Sequence, residues 1–179
     1  MAVYVALLCS VNVGGRSLPS ADLRALLEGL GFADVRTYIQ SGNVVFEAAT
    51  VPEALSPVIE RALAAQLGFE VPVVLRTPVE LRRVAEGNPF SDRGAEPRQL
   101  HVTFLAEAPD PSGVEKLARD AQRHLPDECC LVGREVYLYC PNGYGQTTLT
   151  PSFIESRLKV PTTTRNWNTV GKLLDMAGG

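Results

Sequence analysis

The sequence predicts an α+β protein built as two ferredoxin-like units in tandem. Each has the order βαββαβα and an antiparallel sheet with helices on one face. Stretches with strand alternation and stretches with helical spacing follow one another in that order, and the order runs twice along 179 residues. The string Val71-Pro72-x-x-x-Arg76 returns 89 residues later as Val160-Pro161-x-x-x-Arg165, each time between two amphipathic helical stretches. A chain of this length can also supply two small domains of about 90 residues each. The units are expected at 1–90 and 98–179, with a linker at 91–97 inside the Gly- and Pro-rich stretch GNPFSDRGAEP (87–97).

In the first half, 3–8 (VYVALL) reads as a strand. A helix follows from Ser20 to about Leu30, with Leu23, Leu26, Leu27 and Leu30 on one stripe, Ser17 or Ser20 as its cap and Gly31 after its end. The segment VRTYIQSGNVVFE predicts a hairpin turning through Ser41-Gly42. Residues 53–67 predict a helix, 71–77 a strand and 78–86 a helix. In the second half, 99–105 (QLHVTFL) is a strand, and Ser112 to about Arg123 a helix with Val114, Leu117 and Ala121 on one side. ECCLVGREVYLYC is a hairpin about Gly133-Arg134, which sets Cys129 opposite Leu138 and Cys130 opposite Tyr137. TPSFIESRL predicts a helix, VPTTTRNW a strand, and Asn168 to Ala177 the closing helix, capped by Asn166 or Asn168. Trp167 is expected to pack in the core or between the units.

Composition narrows the function classes. The chain is 45% hydrophobic and 21% charged, which is ordinary globular composition. Its formal net charge is −3, and neither half has the basic excess of a non-specific nucleic-acid binder; nucleic acid is therefore disfavoured, while a local basic groove stays open. The N-terminal apolar run reads as a buried strand, not a signal peptide, and no stretch approaches the roughly 18 apolar residues of a membrane span. The four cysteines, Cys9, Cys129, Cys130 and Cys140, form no CxxC or Cys/His pattern, so no zinc, no cofactor, reduced thiols and a cytoplasmic location are expected.

Two segments hold polar residues where a ligand could be met. With Gln40 opposite Asn43, the first hairpin would pair Ile39 with Val44 and Thr37 with Phe46 on the core side, leaving Arg36, Tyr38, Gln40 and Asn43 on an open face or its rim. Between the first strand and helix, Asn12, Gly14 and Gly15 give a permissive backbone, and Arg16 precedes a helix N-terminus, an arrangement able to hold an anion. It is neither a Walker A loop nor a GxGxxG loop, and a plain turn is the structural alternative. His101 and His124 read as a satisfied strand histidine and a helix-end residue. No GxSxG, HExxH or activated cysteine is present, so no catalytic constellation can be named.

The strings ALLCSVNVGG, ALLEGLGFADVRTYIQSGNVVF, GYG and TLTPSFIESRLKVPTTTRNWNTVGKL resemble the bacterial family known as domain of unknown function 1697, over almost the whole chain. The resemblance implies paired ferredoxin-like subdomains and no established reaction. It marks Asn12, Gly14 and Gly15; Gln40, Ser41, Gly42 and Asn43; and Arg165, Asn166, Trp167, Asn168 and Thr169. This chain departs from the family pattern at Cys9-Ser10, where Arg-Gly is usual, and at Gln146 and Thr148, where basic residues are usual.

The function expected is a binding module for a small polar or anionic ligand at the junction of the units, lined by Asn12, Gly14, Gly15, Arg16, Gln40, Asn43, Arg165 and Asn166. Ser41, Gly42, Trp167, Asn168 and Thr169 are expected to serve structure. The alternatives are nucleic-acid or protein recognition on open sheet faces, and an enzyme whose reaction the sequence does not name.

Overall fold

The computed structural model describes residues 1–40 and 42–179. Among the described residues, eight strands and six α-helices follow the predicted order twice: β1 (Ala2–Leu8), α1 (Ser20–Gly29), β2 (Ala33–Tyr38), β3 (Asn43–Ala48), α2 (Pro52–Leu67), β4 (Val73–Arg76) and α3 (Pro78–Glu86), then β5 (Leu100–Leu105), α4 (Pro111–Ala121), β6 (Glu128–Val132), β7 (Glu135–Tyr139), α5 (Pro151–Leu158), β8 (Thr162–Asn166) and α6 (Trp167–Met176). The chain divides into two compact units, Met1–Arg82 with Leu173–Gly179, and Arg83–Lys172.

The first unit holds the antiparallel sheet β2-β3-β1-β4. Tyr4, Ala6 and Leu8 of β1 join Leu23 and Leu27 of α1 and Leu55, Ile59 and Leu63 of α2 in one apolar core. Strand alternation turns Val5 and Leu7 to the opposite face. They too are fully buried, as are Val45 and nearly so Val74 on the neighbouring strands. The face expected to be open is therefore closed at its centre. Within this unit Arg36 donates from Nη2 to the carbonyl of Met176 at 2.8 Å, tying β2 to the end of α6.

The second unit holds the sheet β6-β7-β5-β8, again antiparallel throughout. Leu105, Val136 and Leu138 pack with Leu117 and Ala121 of α4 and Ile154 and Leu158 of α5. Val102, Phe104 and Tyr137, on the other face, are buried as well. Helices α4 and α5 approach closely at Gly113, where a Cβ would stand 2.8 Å from the carbonyl oxygen of Arg157. The stretch 87–97 is anchored in this unit by Phe90, which is 5% exposed and stacks on Tyr139.

The two hairpins fared differently. In the second, Cys129 pairs with Leu138 and Cys130 with Tyr137, as the Gly133-Arg134 turn predicts. In the first, the pairs are Tyr38–Asn43, Thr37–Val44 and Arg36–Val45, two residues away from the register expected. Ser41, half of the predicted two-residue turn, lies outside the described residues. Two consequences correct the sequence reading: Ile39 is 52% exposed instead of lying in the core, and Asn43 is fully buried instead of on an open rim.

The internal repeat extends to single hydrogen bonds. Cys9 N donates to the Pro72 carbonyl at 3.0 Å, and Ala106 N to the Pro161 carbonyl at 3.0 Å. Leu8 N donates to Gly42 O and Leu105 N to Arg134 O, each at 2.9 Å. Arg76 and Arg165, equivalent and both buried, each return an Nη1 donor to the carbonyl of the preceding residue, at 2.8 and 2.9 Å. The next residue in each unit caps a helix: Thr77 Oγ1 accepts from Glu80 N at 3.2 Å, and Asn166 Oδ1 accepts from Thr169 N at 2.8 Å. Glu80 Oε2 answers by accepting from Thr77 N at 2.8 Å, completing a capping box. Asn166 is thus the cap that the sequence left open between two asparagines.

Thr77→Ala and Asn166→Ala should each lower stability by about 1 kcal/mol, because each orphans one helix N–H. Urea unfolding followed by far-ultraviolet circular dichroism measures this, with the exposed Asn168→Ala as the control expected to change little.

Candidate functional site

Site geometry begins where β1 ends. Its backbone is hydrogen-bonded on both edges, to β3 and β4, so the chain leaving Leu8 is held firmly at its root. The loop 9–19 is pinned by two buried apolar side chains, Val11 at 5% and Leu18 at 3% exposure, while residues 13–17 are exposed. Asn12 holds the loop shut from inside. Its Oδ1 accepts from Leu18 N at 2.8 Å, and its Nδ2 donates to Leu18 O at 3.2 Å and to Gln40 O. The last of these stitches loop 9–19 to the connection between β2 and β3. Ser20 Oγ adds a second stitch, donating to Ile39 O at 3.4 Å; α1, which begins at Ser20, has no side-chain cap from Ser17 or Ser20.

Gly42 sits below this stitch at φ 75°, where a Cβ would lie 2.6 Å from Val11 Cγ2 and 2.8 Å from Leu8 Cβ. Only glycine fits both that dihedral and that approach. Asn43 beside it donates from Nδ2 to Tyr38 O at 3.0 Å, closing the hairpin from within. Left-handed backbone is concentrated on the two loops. Ser10, Asn12 and Ile39 have φ of 58°, 57° and 47°, and Gly14 and Gly15 have 58° and 82°. For asparagine and glycine this is inexpensive; for a β-branched isoleucine it is strain of about 1–3 kcal/mol.

The outward side of the loop pair carries bare peptide at Gly14 and Gly15, where a Cβ would meet nothing within 4 Å. Arg16 lies over the Phe69 ring at 4.6 Å, a cation–π contact that ties the guanidinium to Phe69. Gln40, Val13 and Ile39 are exposed on the same two loops. Asn12, Gly14, Gly15, Arg16 and Gln40 are thus brought together in the first unit, with Asn43 buried in the hairpin to which Gln40 belongs. Ile39, Val13 and Phe69 were missed by sequence reasoning, because a core register for Ile39 hides its strain and exposure.

Arg165 and Asn166 belong to the second unit and are committed to its framework. Arg165 is 6% exposed and donates to Thr163 Oγ1 at 2.5 Å and Thr164 O at 2.9 Å; the Asn166 oxygen is engaged in the α6 cap. Trp167 is half-buried, Asn168 exposed and Thr169 buried.

The same unit contains a polar cluster around His101, opposite Asn166 in the β5–β8 register. The His101 ring stacks on Tyr144 of the GYG segment, with centroids 4.1 Å apart and planes 18° apart. On β8, Thr164 Oγ1 lies 2.7 Å from Thr103 Oγ1. His101 is 7% exposed and its Nδ1 has no hydrogen-bond partner. The satisfied strand histidine of the sequence reading is therefore corrected. Burial pushes its pKa down from 6.5 to about 4. All four cysteines are free; burial raises the thiols of Cys129 and Cys140 to about 11, which keeps both protonated and poorly nucleophilic. Among the described residues no group of His, Cys, Asp and Glu could hold a metal ion.

Fold and site together define a tandem ferredoxin-like α+β protein in which a stitched loop pair on the first unit presents backbone and a single arginine. The profile of the family described as "Protein of unknown function (DUF1697)" matches residues 1–137, and the chain belongs to that family. No curated protein matches it. Among solved structures, the conserved bacterial protein SP0830 from Streptococcus pneumoniae is similar in fold, with a TM-score of 0.75, 21% sequence identity and 98% of each chain covered.

Two measurements follow from the strain and the buried histidine. Ile39→Asn should raise stability by up to about 1 kcal/mol, since asparagine tolerates the left-handed region and half of the lost side chain is in solvent; thermal unfolding checks this. For His101 the folded-state pKa lies below the unfolded one, so its contribution is present above pH 6.5 and is lost as pH falls toward 4. Between pH 7 and 5 the loss reaches about 2 kcal/mol at most. His101→Asn should flatten that part of the stability profile relative to the parent chain in a pH series of urea melts.

Proposed function

We propose that this chain is a binding module for a small polar or anionic ligand, received on the first unit by loop 9–19 together with Ile39, Gln40 and Gly42. The observation that carries the reading is the way Asn12 spends its side chain on Leu18 and Gln40, fixing the exposed peptide of Gly14 and Gly15 next to Arg16. A prefixed row of peptide groups with one guanidinium binds anions without the entropy cost of ordering a loop. In this reading Asn12, Gly42 and Asn43 support the site, and Gly14, Gly15, Arg16 and Gln40 contact the ligand. Arg165 and Asn166 stay with the framework of their own unit.

A second reading, recognition of a protein partner by the same loops, is favoured by the exposure of Val13 and Ile39, at 57% and 52%. The two readings differ in what substitution at those side chains does. Val13→Ser with Ile39→Asn would leave anion binding in place and weaken capture of a protein.

Titration of ¹⁵N-labelled protein with inorganic phosphate, pyrophosphate and a panel of nucleotides tests the first reading. Saturable shifts at Gly14, Gly15 and Arg16 are expected, and Arg16→Ala should weaken binding about tenfold, equivalent to about 1.4 kcal/mol. A ligand at 100 times its Kd should also add about 2.7 kcal/mol of stability. Unmoved loop amides across the whole panel would overturn the reading.

A further inference from the structure

A second feature lies in the second unit, where α4 ends and the chain turns back into β6. A cavity of about 170 Å³ opens there, lined in part by Ala118, Ala121, Leu125, Asp127 and Cys129. Ala118, exposed, and Ala121, buried, lie on the last turns of α4. Leu125, 60% exposed, stands at its mouth.

The chemistry of the cavity is set by Asp127. Its backbone is fixed by donation from its N–H to His124 O at 3.0 Å, and the residue is only 9% exposed. Among the described residues, its carboxylate has neither a hydrogen-bond partner nor an ion pair. The other carboxylate on the lining, Glu128, is neutralised by Arg93 in a two-pronged contact of 2.8 and 3.1 Å. The Cys129 thiol is uncharged, its pKa pushed up to about 11 by burial and by the neighbouring cysteines. A carboxylate that lines a recess and has no partner of its own gains a charge-assisted hydrogen bond from a cation brought to it. One carboxylate is too few for a divalent ion, which takes six or more oxygen ligands. The alanines and Leu125 instead offer a short alkyl chain an apolar wall.

We propose that this cavity is a site for a small organic ammonium ion of about six non-hydrogen atoms, its charged head on Asp127 and its alkyl body along Ala118, Ala121 and Leu125. The size follows from comparison with an apolar cavity of about 150 Å³ that accommodates benzene. The site is independent of the anion-binding reading, since it lies in the other unit and selects the opposite charge.

The test uses n-butylammonium chloride as probe and n-butanol as its uncharged counterpart, both titrated into the full ¹⁵N-labelled chain at matched ionic strength. Saturable shifts at Gln122, Asp127, Glu128 and Cys129 with butylammonium, at least tenfold weaker with butanol, are the expected result. Asp127→Asn should remove the preference for the charged probe, and Ala118→Leu, which fills the space, should block both. If Asp127→Asn fails to fold, the charged-against-neutral comparison in the parent chain and the Ala118→Leu variant still decide. Equal shifts with both probes, unchanged butylammonium binding in either folded variant, or no saturable shifts would each overturn the proposal.

Discussion

Each unit depends on one constraint: its first strand is hydrogen-bonded along both edges and buried on both faces. β1 lies between β3 and β4, and β5 between β7 and β8. From Tyr4 to Leu8 no residue is more than 5% exposed, and from Leu100 to Leu105 none exceeds 7%. A backbone so placed must satisfy every N–H and C=O inside the sheet, which the antiparallel ladders do. Apart from His101, whose buried Nδ1 has no hydrogen-bond partner, the side chains of these strand centres are apolar or already bonded. Other chemistry has to be carried by the connections that leave the strand ends, while the strand supplies the rigid root that makes those connections precise.

The two units solve the same framework problem and then diverge in their loops. The bonds Cys9–Pro72 and Ala106–Pro161, Leu8–Gly42 and Leu105–Arg134 recur at equivalent points, and so do the buried arginines Arg76 and Arg165. Yet the first unit runs through residues 9–19 between its first strand and helix, where the second uses only 106–110. The second unit in turn extends its third-strand connection over 140–150, where the first uses 49–51. Each unit has therefore elaborated a different connection. The long loop of the first holds Asn12, Gly14, Gly15 and Arg16; that of the second brings Tyr144 over His101. The framework explains the repeat, and the unequal loops explain why the candidate chemistry does not repeat.

The element order and most boundaries were legible because strand and helix periodicities are local, and local hydrophobic spacing is what drives burial. The second hairpin was legible for the same reason: Gly133-Arg134 sets the register with no outside help. The first was not. Its register depends on Gly42 pressing against Val11 and Leu8 and on Asn12 reaching Gln40, contacts between segments about thirty residues apart that no turn rule contains. The error of two residues kept the strand faces right but put Ile39 in the core and Asn43 on a rim. His101 shows a related limit. Sequence can place a histidine in an apolar strand, but whether its Nδ1 finds a partner depends on what the GYG segment brings over it.

The polar residues that the family pattern marks are largely engaged in making the framework. Asn12 stitches two loops, Asn43 closes a hairpin, Arg165 is buried and bonded to its own strand, and Asn166 caps a helix. What these residues leave facing solvent is mainly peptide backbone, with Arg16 and Gln40 at its sides. A site made of backbone is sensitive to loop shape and tolerant of side-chain exchange. That bears on the departures of this chain from its family. Cys9 is 3% exposed, so the position where a basic residue is usual lies inside the protein, while Gln146 and Thr148 are exposed on the other unit. None of these three positions takes part in the Asn12 bonding that fixes the loop geometry. On the reading proposed above, anion recognition in this member would rest on Arg16 and the adjacent peptide groups, an arrangement that suits ligands of low charge better than polyanions.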